Sequence, residues 1–232
     1  MTPAERSERL MREASGLFVR LGFDKTTISD ITRAAGISKG AFYLAFPNKE
    51  ALLEAVLIRE MEAHLAHSQA AMAEHPRGGS IGAMYEVALR ALDASPVMAV
   101  LIRRDGEFFG RYLRQPGNFF ERYGSGQLTR GEILAWLQQV GVVRRDVDPA
   151  VAAHVMNLIS VGWVTIGEIG VVDAAPPAED VIVGLAAMMD RALSPDEGPD
   201  REAGMRVLTE LYASARERVQ ALLEEATTRS GA

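Results

Sequence analysis

The side chains best placed to do chemistry lie between residues 26 and 49. Thr26 and Thr27 bring two hydroxyls to the start of a helical segment, where free N–H groups and the helix dipole favour an anion. Ser38, Lys39 and Gly40 open a second segment, and Ala41 follows. Tyr43 adds an aromatic hydroxyl one helical turn beyond Lys39. Lys49 opens a third segment beside another N-terminus, and Arg33 flanks the group. Hydroxyls and cations around helix starts suit phosphate gripping. Taken singly, each residue also suits a cap, a solvated charge or a packing aromatic.

Catalytic and metal chemistry have weaker claims. The histidines are His64, His67, His75 and His154, and there is no cysteine. Glu60, His64 and His67 fall at i, i+4 and i+7 on one helical face, a spacing that could seed a metal site. No fourth ligand is evident, so a solvated polar face is expected, with no metal and no cofactor. A Gly-rich phosphate loop, a nucleophile elbow and an acid–base pair are all missing. The chain is not expected to be an enzyme.

Composition narrows the class. Among 232 residues, 48% are hydrophobic and 24% charged, enough for a core and too apolar for wholesale disorder. The start, MTPAERSERL, lacks the apolar run of a signal peptide, and a cytoplasmic location is expected. The apolar stretch from Val155 to Val172 is interrupted by Asn157, Ser160, Thr165 and Glu168, which argues for a buried helix and no membrane span. Net charge is −6, yet residues 1–50 carry eight Lys and Arg against six Asp and Glu. Nucleic-acid contact there would rest on well-placed groups rather than bulk charge.

Periodicity and breakers predict helices almost throughout. Thr2, Pro3 and Glu5 form a capping box for the first helix, with an apolar stripe of Leu10, Ala14, Leu17, Phe18 and Leu21. Thr27 with Asp30 starts a second, which Gly36 stops. Ser38 starts a third, through Phe46, which Pro47 breaks. A fourth runs over 48–73 and should end before Pro76-Arg77-Gly78-Gly79. Further helices are expected near 80–94, 96–113, 118–141 (as one piece or two), 149–170, 178–193 and 200–228. Ala34, Ala35 and Gly36 permit two short helices to meet at a tight turn, with Ile28, Ile31, Ile37 and Phe42 as a miniature core. That is the pattern of a helix-turn-helix.

The order of these residues resembles the DNA-binding region of the TetR family of bacterial regulators. The match is carried by Gly22-Phe23, Thr26-Thr27, Ile31, Ala34-Ala35-Gly36, Ser38-Lys39-Gly40, Phe42-Tyr43, Phe46, Asn48-Lys49-Glu50 and Leu52, over about residues 8–57. The resemblance implies a homodimer that binds a palindromic operator in double-stranded DNA and releases it when a small apolar ligand enters the C-terminal part. It implies phosphate contacts from Thr27, Tyr43 and Lys49. It places Lys39 and Gly40 at the tip of the recognition helix and Ala41 at a base edge. Two departures stand out. Leu44 and Ala45 replace the His, Tyr or Trp of many relatives, and Ala41 replaces a frequent Thr. A helix so poor in donors would read thymine methyls or DNA shape. A helical ligand-binding or scaffolding protein that has lost DNA reading is the alternative.

The expected fold is all-α, with about nine or ten helices. Residues 1–50 form a three-helix DNA-binding domain, the fourth helix connects, and residues 51–232 form a ligand-binding and dimerisation domain. Met84, Phe108, Tyr112, Trp136, Trp163 and Glu168 are the candidate ligand contacts, since pliable Met and broad aromatic faces suit apolar molecules. They suit an ordinary core equally well. The helices near 149–170 and 178–193 carry too much apolar surface for one-sided burial. Val155, Ile159, Gly162, Ile166, Leu185 and Met189 are the candidate dimer contacts.

Overall fold

The computed structural model describes residues 1–124, 128–169 and 175–231, and the side chains of these except at 124, 167–169, 223 and 225–231. The side chain of Glu168, a candidate ligand contact, therefore lies outside the described residues. All regular structure among the described residues is helical. The helices are α1 (Pro3–Leu21), α2 (Ile28–Ala35), α3 (Lys39–Tyr43), α4 (Lys49–Glu74), α5 (Ile81–Asp93), α6 (Pro96–Arg103) and α7 (Gly106–Phe109). A 3-10 turn, Gly110–Arg114, follows. Then come α8 (Phe119–Gly124), α9 (Arg130–Gln139), α10 (Pro149–Ile169), α11 (Ala178–Leu193) and α12 (Arg201–Gly231).

The chain forms two compact units, divided differently from the expected boundary at residue 50. One comprises Met1–Ala63, Pro96–Gly126 and Arg216–Ala232; the other comprises His64–Ser95 and Gln127–Ala215. Helices α4 and α12 contribute residues to both.

In the first unit, α1 starts on the Thr2–Glu5 capping box and buries Leu10, Ala14, Leu17 and Phe18. Gly22 ends it. The segment 96–113, expected as one helix, is broken because Arg104 takes a positive φ of 48° and Asp105 then caps α7. The break turns Phe108, Phe109 and Tyr112 onto the head. The Phe23 N–H donates to the Phe108 carbonyl at 2.6 Å, and the Phe18–Phe108 and Phe23–Tyr112 ring centroids lie 6.4 and 5.8 Å apart. Such aromatic pairs add to the area they bury.

The second unit has its own core, in which Tyr85 and Leu89 of α5, Leu134 and Leu137 of α9, Met156 of α10, and Ile182 and Met189 of α11 meet. Ionic contacts pin α5 to α11. Asp190 accepts the Gly82 N–H at 2.6 Å and pairs with Arg77, which also reaches the buried Glu86. Gly82 is required by this approach, since a Cβ there would lie 2.4 Å from the Asp190 carboxyl carbon.

Helix α10 is long and apolar enough to cross a membrane by length and composition, but it is two-sided. Ala152, Ala153, Met156 and Ser160 are buried, while Val151, Val155, Leu158, Val161 and Ile166 are exposed. Val183 and Met188 are exposed on α11. Met189, expected at a dimer contact, is instead buried in the core of its own unit. Ile159 and Leu185 are half-buried against that same core.

Candidate nucleic-acid interface

The geometry is built from the α2–α3 turn outward. Thr27 caps α2 by accepting the Asp30 N–H at 3.2 Å, and Asp30 accepts the Thr27 N–H in return at 3.1 Å. This reciprocal capping box and the nearby Arg33 guanidinium hold the Asp30 carboxyl below its ordinary pKa. Gly36 ends α2 in the left-handed region, with φ 60° and ψ 39°, where a side chain would be strained. Ser38 then caps α3 through the Ala41 N–H at 3.2 Å. Ile31, Ala35 and Phe42 are fully buried between the two helices.

This core leaves one face outward. Ser38, Lys39 and Gly40 are exposed, Ala41 is half-exposed, and Tyr43 is 56% exposed with its ring set edge-on against Phe42 at 5.3 Å. A Cβ added at Gly40 would meet nothing within 4 Å, so the fold itself does not require the glycine there. Leu44 follows, 80% exposed. Helix α3 is shorter than the Ser38–Phe46 expectation: it ends at Tyr43, and Ala45 and Phe46 continue as a turn onto Phe42.

That N-terminal stretch matches a known profile. Residues 10–56 fit the one described as "Bacterial regulatory proteins, tetR family". Over these residues the chain is similar to the TetR family. Relatives agree along the same stretch. An uncharacterized HTH-type transcriptional regulator of Bacillus subtilis, YerO, is 53% identical over 49 residues, covering 21% of this chain and 17% of its own. The HTH-type transcriptional repressor KstR2 of Mycolicibacterium smegmatis is 40% identical over 55 residues, 24% of this chain and 27% of its own. The probable acrEF/envCD operon repressor of Escherichia coli is 28% identical over 147 residues, 61% and 66% of the two chains. The chain thus spans less than a third of the first two relatives' length. Among solved structures, the ketosteroid regulator KstR2 of Mycobacterium tuberculosis aligns with a TM-score of 0.57 at 18% identity, covering 84% of this chain and 98% of that one. A putative regulator of Streptomyces coelicolor, SCO4942, aligns at 0.55 with 21% identity, over 78% and 96%. At these identities the likeness is one of fold.

Two of the expected contacts on the TetR-type head are not presented to a partner. Thr26 is fully buried, its hydroxyl donating to the Gly22 carbonyl at 2.8 Å, so Thr27 alone of the pair faces solvent. The half-buried Lys49 ammonium donates to the carbonyls of Phe23 and Thr26 at 2.6 and 2.7 Å and lies 4.1 Å from the Phe23 ring centre. Burial pushes its pKa below the lysine norm, with Glu50 opposing. It ties α4 to the α1–α2 turn. Arg33 is exposed and pairs with Asp30 at 3.4 Å.

The candidate ligand contacts are divided as well. Phe108 and Tyr112 are buried in the first unit. The Tyr112 hydroxyl donates to Glu54 at 2.8 Å and accepts the Phe119 N–H at 2.8 Å; burial and the Glu54 charge push its pKa up. These bonds make it a strut of the α4–α8 packing and not a free contact. Met84, Trp136 and Trp163 stay together in the second unit, half-buried around its core. Glu60, meanwhile, pairs with Arg59, and no group of three metal-binding side chains occurs among the described residues.

Proposed function

We propose that the chain is a DNA-binding transcriptional repressor. It acts as a homodimer on a palindromic operator and is released by a small molecule bound in the second unit. The observation that carries this reading is the outward face of α3. Gly36 and the Ile31–Phe42 core fix a short helix that leaves Lys39 and Gly40 exposed and Tyr43 more than half exposed beside Phe42. A second helix held in this way is what enters a major groove. Thr27 adds an exposed residue at the α2 start, its hydroxyl held by Asp30, at a helix N-terminus of the kind that favours phosphate.

Dimerisation is supported by the exposed stripe of α10. Successive grooves on one duplex face are about 34 Å apart, so a palindrome needs two heads. Val151, Val155, Leu158 and Ile166, with Gly162 between them, recur at helical spacing opposite a buried face. A one-sided stripe suits an isologous partner better than lipid, which would surround the helix. Met84, Trp136 and Trp163, half-buried together in the second unit, support a ligand site there; the cytoplasm is the compartment such a regulator works in.

The test is DNA binding to the segment upstream of the chain's own gene, followed by fluorescence anisotropy at several salt concentrations. Lys39→Ala is expected to weaken binding about tenfold and to reduce the slope of log affinity on log salt by about one. Tyr43→Ala is expected to weaken binding to a similar degree across sequences, with thermal unfolding unchanged. Native affinity in both variants would defeat the assignment of α3.

A further inference from the structure

Arg130, the first residue of α9, is half-buried in the second unit. One of its guanidinium nitrogens donates to the Ser160 hydroxyl at 3.3 Å. That hydroxyl donates in turn to the Met156 carbonyl at 2.9 Å, and the Tyr85 hydroxyl lies 3.4 Å from it. Tyr85 and Met156 belong to the apolar core of this unit, and Met84 on α5 and Trp163 on α10 are half-buried against the same core.

The cation is poorly answered by the fold. A guanidinium carries five N–H donors, and among the described residues one of them is accepted. Three other half-buried arginines face carboxylates: Arg59 meets Glu8, Arg103 meets Asp105, and Arg122 meets Glu54. Among the described residues no carboxylate faces Arg130. It also sits at the positive end of its helix, where the dipole disfavours a cation. Burial pushes its pKa below the arginine norm, with the Tyr85 hydroxyl opposing, yet arginine stays charged in proteins. The guanidinium is only half-buried, and none of its nitrogens is both buried and unpartnered, so its remaining donors reach solvent at the edge of the core. Those donors are therefore open to an anion, which a guanidinium holds better than water does.

We propose that Arg130, flanked by Tyr85 and Ser160, recognises a carboxylate on the effector, which carries an apolar body against Met84 and Trp163. This rests on the reading that the second unit binds the effector, and it narrows the ligand from an apolar molecule to an apolar carboxylate. Arg suits that task because its planar fork matches a carboxylate with two parallel bonds.

The test compares dodecanoate with uncharged dodecanol, each below its aggregation limit, on the full chain. Binding is followed by tryptophan emission, since both tryptophans of the chain, Trp136 and Trp163, lie in this unit. The native chain is expected to prefer dodecanoate about ten- to a hundredfold, the worth of hydrogen bonds to a charged group. Arg130→Met is expected to erase the preference and Arg130→Lys to retain part of it. Without ligand, Arg130→Met is expected to melt no lower than the native chain. Equal affinities in the native chain, a preference that survives Arg130→Met, or a melting point several degrees lower in that variant would each overturn the proposal. DNA release is measured separately. Arg130-dependent binding with DNA affinity unchanged keeps the anion site and removes the effector reading. Equal release by both compounds keeps the effector reading and overturns the anion site.

Discussion

Leu158→Asp is expected to yield a folded monomer whose operator affinity is about a thousandfold or more below that of the native chain, close to non-specific binding. Leu158 is 60% exposed at the centre of the apolar stripe of α10. In an isologous interface one substitution acts twice, so two carboxylates would lose water near the symmetry axis. The fold of each copy should survive, since the side chain lies outside the core of its own unit. Analytical ultracentrifugation reads the first effect and anisotropy on a palindromic duplex reads the second. A dimer that persists with native affinity would remove α10 from the interface.

Lys49→Met is expected to cost about 2–3 kcal/mol of stability, because it keeps the apolar stem but leaves two buried carbonyls without a charged donor. That corresponds to a fall of about 5–10 °C in melting temperature. The salt slope of DNA binding should stay at its native value, measured below the lowered melting point. The family pattern assigns the same lysine to phosphate. A native melting point together with a slope smaller by about one would favour that role and reject the structural one.

The difference between those two readings shows where the sequence was informative. Thr27, Ser38 and Gly36 were legible because capping and left-handed turns are local events, decided within three residues. The exposed face of α3 followed from them. Thr26 and Lys49 were not separable from true surface groups, because their partners are backbone carbonyls, which leave no mark in composition. The break at Arg104 is also silent in the apolar pattern. A helical stripe continues through Phe108 and Tyr112, and contacts distant in sequence, with Phe18, Phe23 and Asp24, draw that segment onto the head. Met189 looked like Met188, its neighbour, until burial separated them. Arg130 carried one faint signal, a basic residue in the first turn of a helix that already had its cap and its acidic residue in Thr129 and Glu132.

Leu44 gives the free head a bare hydrocarbon tip beside its cations. If that tip is covered when DNA binds, part of the affinity comes from releasing ordered water and is indifferent to counterions. Complex formation should then carry a negative heat-capacity change, and some grip should persist at ionic strengths where charge alone lets go. The loss of polar groups from this helix thus exchanges one temperature dependence for another.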